Sequence, residues 1–328
     1  AFGREEVAEE TCRGGGVLRV LFWGSPLFAL PSLRALSEEG HDIVGVVTQP
    51  ARPSGRGRRV TPSPVREEAE AEGLPVLAPE KPRGDEFLGQ IRDLRPEVSV
   101  VVAYGHILLP EVLEVPPEGS INLHASLLPE LRGAAPVHWA ILRGCSKTGV
   151  SIMRMVEGMD AGPVLFQAPQ TIGQEETATE LSTRLSEVGA QALVEAMALL
   201  GEGAIQAVEQ DHSKATFAPK VNREMARVDW TRPAVELGWH LRGLDSTPGA
   251  WTTLDGDSVK LFKPLPEPRY ATGSPPGTVL EADPDQGLLV ACGQGALRVR
   301  EIQSPGKKRM PIGPWLQGHS IPAGTPFE

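Results

Sequence analysis

Val17-Leu-Arg-Val-Leu-Phe-Trp23, followed at once by Gly24-Ser-Pro26, decides the fold of this chain. A short, nearly continuous apolar run that ends in turn residues reads as a strand buried on both faces, as in a parallel sheet. Residues 27–36 (LFALPSLRAL) then have helical spacing, which Pro31 disturbs if it falls inside the helix. The alternation continues outward. Residues 43–48 (IVGVVT), 98–103 (VSVVVA) and 120–124 read as further strands, with helical stretches at 65–72 and 86–94 between them. Residues 148–155 and 163–167 extend the sheet, and 178–200 carry the apolar spacing of a long helix. Strands alternating with helices predict an α/β fold with a Rossmann-like, mostly parallel sheet. Such a sheet places its ligand site at the carboxyl ends of the strands. Gly24-Ser-Pro26 occupies the first strand-to-helix turn but lacks the G-x-G-x-x-G pattern, so no dinucleotide cofactor is expected.

After Gly201 the pattern changes. Residues 205–222 are polar and weakly periodic, as in a linker. Thr231-Arg-Pro233 then opens a helix running to about Arg242, with proline near its start, where no amide donor is missed. Residues 251–262 contain Asp255-Gly256, a strong hairpin signal, and 277–280, 288–292 and 297–302 are further short strands. The expected organisation is a flexible tail (1–16), a catalytic domain (17–204), a linker (205–224) and a smaller C-terminal β-barrel of OB-like type (225–328).

Length and composition agree with two globular domains: 328 residues, 40% hydrophobic and 23% charged. No apolar run approaches the roughly 20 residues of a membrane helix, so no membrane partner is expected. The net charge of -10 repels nucleic acid as a whole, and any such contact must use local basic patches. Cys12, Cys145 and Cys292 are far apart and odd in number. They suggest neither a disulfide framework nor zinc, and a reducing cytoplasm is the simplest setting. The first sixteen residues (AFGREEVAEETCRGGG) lack the features of a secretory or organellar leader.

Chemistry enters at Ile121-Asn-Leu-His-Ala-Ser-Leu-Leu-Pro-Glu-Leu-Arg-Gly-Ala-Ala-Pro136. Asn122 and His124 leave the end of a strand on the same face, with a turn beside them. A lone Asn or His at such a place is usually structural; the compound pattern is not. An amide donor for an oxyanion and a ring that moves a proton are what acyl transfer to an amine requires. Asp160, in the turn-rich Met159-Asp-Ala-Gly-Pro163, would steady an imidazolium and fix the ring's tautomer if it sat beside His124.

These residues carry a resemblance. Asn122-x-His124-x-Ser-Leu-Leu-Pro129, Arg132-Gly133, Thr148-Gly-Val-Ser-Ile152 and Asp160-x-Gly162 resemble the formyltransferases that use 10-formyltetrahydrofolate. The finer match is to the branch that acts on methionyl-tRNA. Its motifs are similar to Thr48-Gln-Pro50, Arg52-Pro53, Gly55-Arg-Gly57, Pro62-Ser-Pro64, Val101-Val-Ala-Tyr-Gly105, Gly133-Ala-Ala-Pro136, Ala226-Arg-x-Asp-Trp230 and Pro305-Gly-Lys-Lys308. The resemblance spans about residues 18–310. It implies Asn122, His124 and Asp160 as the catalytic trio and Ser126, Leu127, Leu128, Pro129, Tyr104 and Gly105 at the folate site. His124 would either complete the oxyanion stabilisation or shuttle the proton from the amine. Metal and tightly bound cofactor are not implied, and 10-formyltetrahydrofolate is the formyl donor.

The acceptor implied is initiator methionyl-tRNA, met by a monomer. Arg52, Arg56, Arg58 and Arg59 crowd a Pro/Gly-rich stretch that the resemblance makes an insertion reaching the acceptor stem. Arg56, between glycines that allow close approach to a phosphate, is the best single candidate. Arg132, Lys220, Lys307 and Lys308 would extend the basic track, although each is also ordinary surface charge. Glu130-Leu131 departs from the family pattern, and residues 243–251 (GLDSTPGAW) also resemble a formyltetrahydrofolate hydrolase module. Water or an amino-sugar nucleotide are the alternative acceptors.

Overall fold

The computed structural model of the protein describes residues 16–54, 59–271 and 273–328. The expected tail lies outside these, apart from its last residue. β1 (Arg19–Gly24) stands inside a sheet of seven strands, with β2 (Asp42–Val47) and β6 (Val98–Val102) parallel to it on either side. A separate antiparallel pair of β3 (Arg52–Ser54) and β4 (Arg59–Thr61) follows β2, and β5 (Val76–Leu77) adds to the sheet edge. β7 (Ser120–His124) runs parallel to β6, whereas β8 (Lys147–Arg154) and β9 (Val164–Thr171) are antiparallel.

The central strands β1, β2 and β6 are mostly apolar because both sheet faces are covered there. Val20, Phe22, Val100 and Val102 pack under α1 (Leu30–Glu38), while Leu21, Trp23 and Val101 pack under α3 (Asp85–Asp93), which follows α2 (Pro64–Ala71). Pro31 does no damage. A 3-10 turn over Leu27–Ala29 precedes α1, and the proline falls in the first turn of that helix, where its missing N–H has no partner to lose. After α4 (Pro110–Leu113) and α5 (Pro136–Leu142), the long α6 (Ala178–Gly201) begins with a reciprocal capping box between Thr177 and Glu180.

The C-terminal domain has α7 (Ala234–Gly243) against an antiparallel sheet. Its strands are β10 (Trp251–Leu254), β11 (Asp257–Glu267), β12 (Val279–Asp283), β13 (Gly287–Ala291), β14 (Ala296–Gln303) and the short β15 (Met310–Pro311), followed by α8 (Ile312–Leu316). Asp255 and Gly256 turn the first hairpin with φ of 50° and 83°, as a two-residue loop of primed type needs. The chain terminus bridges the sheet's outer strands. Thr253 and Glu328 exchange backbone bonds of 2.8 and 2.9 Å, and Val279 donates to Thr325 at 2.8 Å. Phe327 stacks on Trp230 inside that closure, with centroids 5.7 Å apart.

The segment read as a linker is not a free connection. Val208 pairs with Val164, and Thr216 to Ala218 zip onto Arg132 through bonds of 2.9 and 2.7 Å. Backbone pairing at isolated points leaves little side-chain periodicity, which explains why the sequence there looks irregular. Residues 243–249 join the domains: Thr179 donates to the Asp245 carbonyl at 2.9 Å, and Arg309 reaches the Asp245 carboxylate at 2.9 and 3.0 Å. Burial pushes that carboxyl up while the guanidinium opposes the shift. No helix among the described residues is long and apolar enough to cross a membrane.

Candidate active site

β7 ends where the sheet opens, and its last residues, with the following loop, form one wall of a cavity of about 630 Å³. Asn122, His124 and Asp160 all line it, so residues 36 positions apart in sequence converge on one space, as counted from the numbering. The Asn122 carboxamide is half-buried and takes no partner from the described residues, which leaves its N–H groups for a ligand.

His124 is 6% exposed, and its Nε2 lies 2.9 Å from the Leu131 carbonyl oxygen. A carbonyl only accepts, so the proton sits on Nε2 and a neutral ring keeps Nδ1 bare. Nδ1 is 3.7 Å from Asp160 Oδ2, close enough for an ion pair once the ring is protonated. The tautomer, expected to be set by Asp160, is set by Leu131, whose φ of 58° belongs to the same turn. Asp160 is itself held: Oδ2 accepts from the Gly133 amide at 2.7 Å, and its backbone has φ of 47°. Gly162 behind it is required, because an added Cβ would stand 2.0 Å from the Arg154 carbonyl oxygen.

Tyr104 and Gly105 line the same cavity. Tyr104 packs edge-on against Trp23, 5.3 Å between centroids, and burial pushes its hydroxyl pKa up to about 12. Gly105 has φ of 86°, and Gln49 Nε2 donates to the Tyr104 carbonyl at 2.8 Å from the position where a Cβ on Gly105 would crowd it. Ser126, Leu127, Leu128 and Pro129 do not line the cavity; they follow Ala125, which does. Their polar groups are used internally. Ser151 Oγ donates to the Ser126 carbonyl at 2.7 Å and accepts from the Leu128 amide at 3.0 Å, while Ser126 Oγ donates to the Glu130 carbonyl at 2.6 Å. His106 and His138, given no role from sequence, do line it, and a second cavity of about 490 Å³ shares Phe28, His138, Ala178 and Ser182 with the first.

Arg132 differs most from expectation. It is 6% exposed, and its guanidinium binds Gln210 Oε1 at 2.6 and 3.2 Å and His212 Nδ1 at 3.0 Å, so Nε and Nη2 are engaged inside the protein. Arg52, Lys220, Lys307 and Lys308 are exposed. Arg56 and Arg58 lie outside the described residues, and Arg59 is placed only by its backbone in β4. Gln210 carried no signal in a polar stretch, and Gln49 was visible only inside Thr48-Gln-Pro50. Among the described residues no group of three or more His, Cys, Asp or Glu is arranged to hold a metal.

A strand-end amide, an imidazole of fixed tautomer and a carboxylate around one cavity define a group-transfer site. The profile of the formyl transferase family matches residues 18–197, and that of the formyl transferase C-terminal domain matches residues 220–320. A methionyl-tRNA formyltransferase of Caldanaerobacter subterraneus is 43% identical over 94% of this chain and 99% of its own. That of Desulfotalea psychrophila is 46% identical over 94% and 95%. HypX from Aquifex aeolicus in complex with tetrahydrofolic acid shares the fold at a TM-score of 0.64 and 18% identity, over 91% of this chain and 47% of that one. The chain belongs to the formyl transferase family, among the methionyl-tRNA formyltransferases.

Proposed function

We propose that the chain transfers the formyl group of 10-formyltetrahydrofolate to the amino group of methionyl-initiator tRNA. One observation carries the mechanism: His124 offers a bare Nδ1 to the cavity, beside Asp160 and on the same strand face as Asn122. The amine attacks the formyl carbon, and the carbonyl oxygen takes up charge against the Asn122 N–H. Nδ1 accepts the proton the amine sheds, and the Asp160 carboxylate balances the imidazolium. Collapse of the tetrahedral carbon breaks its bond to folate N10, which leaves with that proton as tetrahydrofolate. Tyr104 and Gly105 serve the folate directly, Ser126 to Pro129 only through the turn they fix next to Ala125, and Arg52, Arg56, Arg58, Arg59, Lys220, Lys307 and Lys308 serve the tRNA. The relatives named above support this acceptor over water or an amino sugar. The chain would act as a monomer in the cytoplasm, where charged initiator tRNA is found.

The test supplies 10-formyltetrahydrofolate with charged initiator tRNA, elongator methionyl-tRNA or no acceptor, and follows tetrahydrofolate release. Release that requires initiator tRNA supports the proposal. Equal release without acceptor turns it into a hydrolase, and release with none of the three arms refutes it.

A further inference from the structure

Gln210 belongs to the stretch between the domains, yet it is 7% exposed, and its side-chain nitrogen reaches the turn that carries Asp160. Its Nε2 donates to the Asp160 carbonyl at 2.9 Å and to the Gly162 carbonyl at 2.6 Å. Its Oε1 accepts from the Arg132 guanidinium, which His212 holds from the other side. We propose that Gln210 is a positioning residue for the formyl-transfer step, which holds the Asp160 turn in its left-handed conformation so that the carboxylate faces His124.

The geometry gives the reason. Asp160 sits at φ 47°, a region uncommon for a residue with a Cβ, which aspartate tolerates better than most but which still has to be held against extended alternatives. Without this donor the Gly162 carbonyl would be a buried acceptor and the Asp160 carbonyl a partly buried one. A side-chain amide is the one group with two N–H donors for these carbonyls and an oxygen for a guanidinium. Glutamate could meet the arginine but not the carbonyls. Arg132, expected to meet phosphate, is thus the anchor that fixes which way the amide points.

This inference rests on the proposed reaction, and its test separates the two. Gln210→Glu and Gln210→Met are measured alone and combined with Asp160→Asn. Each single variant is expected to lower kcat about 100-fold, the cost of roughly 1 Å of misplacement, with KM for 10-formyltetrahydrofolate within about twofold. Combined with Asp160→Asn, neither is expected to lower kcat further, because both losses pass through one carboxylate. Additive losses, a change confined to KM, or normal turnover would overturn the assignment. A crystal structure of Gln210→Met checks placement without any turnover. Loss of the bond from Gly133 to Asp160 supports the proposal, and its retention refutes it even if methionyl-tRNA is not the acceptor.

Discussion

The Nε2 of His124 lies 2.9 Å from the carbonyl oxygen of Leu131, and this bond decides which nitrogen can act as a base. A ring held through Nε2–H turns Nδ1 toward Asp160 and the cavity. In the proposed reaction this places the proton acceptor before substrate arrives. A positioned general base contributes about 10²–10⁴-fold. His124→Ala should lower kcat within that range in single-turnover formyl transfer, and a loss under tenfold would remove the ring from proton transfer.

Asn122 faces the same cavity with free N–H groups. One preorganised oxyanion donor is worth about 2.7–4 kcal/mol. Asn122→Ala should therefore cost at least about a hundredfold in kcat while tetrahydrofolate binding, followed by calorimetry, stays near normal. Near-normal turnover would take the amide out of the mechanism.

Gly162 has no room for a side chain, since a Cβ would meet the Arg154 carbonyl at 2.0 Å. Gly162→Ala must push the Asp160 turn outward. A loss of about 1–3 kcal/mol in unfolding free energy is expected from the overpacking. Turnover at saturating substrate should fall as well, because the displaced turn carries the carboxylate. A variant as stable and active as the parent would show that the turn has slack.

His240 in α7 is 7% exposed, and burial pushes its pKa down to about 4. The unfolded chain binds that proton near pH 6.5, the folded one near 4, so protonation favours unfolding. The contribution is whole above about 6.5 and is lost as pH falls toward about 4, a span worth about 3 kcal/mol. Denaturant titrations of the parent and His240→Gln across pH 7.5 to 4 check this, with the parent losing more; parallel curves would mean that the ring reaches water when folded.

Lys220, Lys307 and Lys308 are exposed on a chain of net charge -10. Each phosphate contact removed should lower the slope of log affinity against log salt by about 0.7–0.9. Binding of charged initiator tRNA to Lys307→Ala, measured over a salt series, gives that slope. A salt-independent affinity would contradict a nucleic-acid partner altogether.

Most of the fold was legible because its signals are local. The runs of β1, β2 and β6 are almost wholly apolar, as in strands covered on both faces, and Asp255-Gly256 supplies the turn its hairpin needs. Less was visible where a residue's role depends on distant partners. Arg132 sits in a recognisable Arg-Gly step, yet whether it meets solvent or Gln210 depends on how residues 205–222 fold back. That stretch pairs by backbone, and backbone pairing leaves no mark on side-chain type.

The sequence by itself determined the sheet order's raw material, the two-part layout and the presence of Asn122, His124 and Asp160, because periodicity and short motifs are properties of neighbouring residues. Only the tertiary structure decided which imidazole nitrogen is bare, that Leu131 and not Asp160 sets it, and that Gln210, held by Arg132, bonds the backbone of the Asp160 turn. Those outcomes are distances between groups far apart along the chain, and only the folded packing brings them within bonding range.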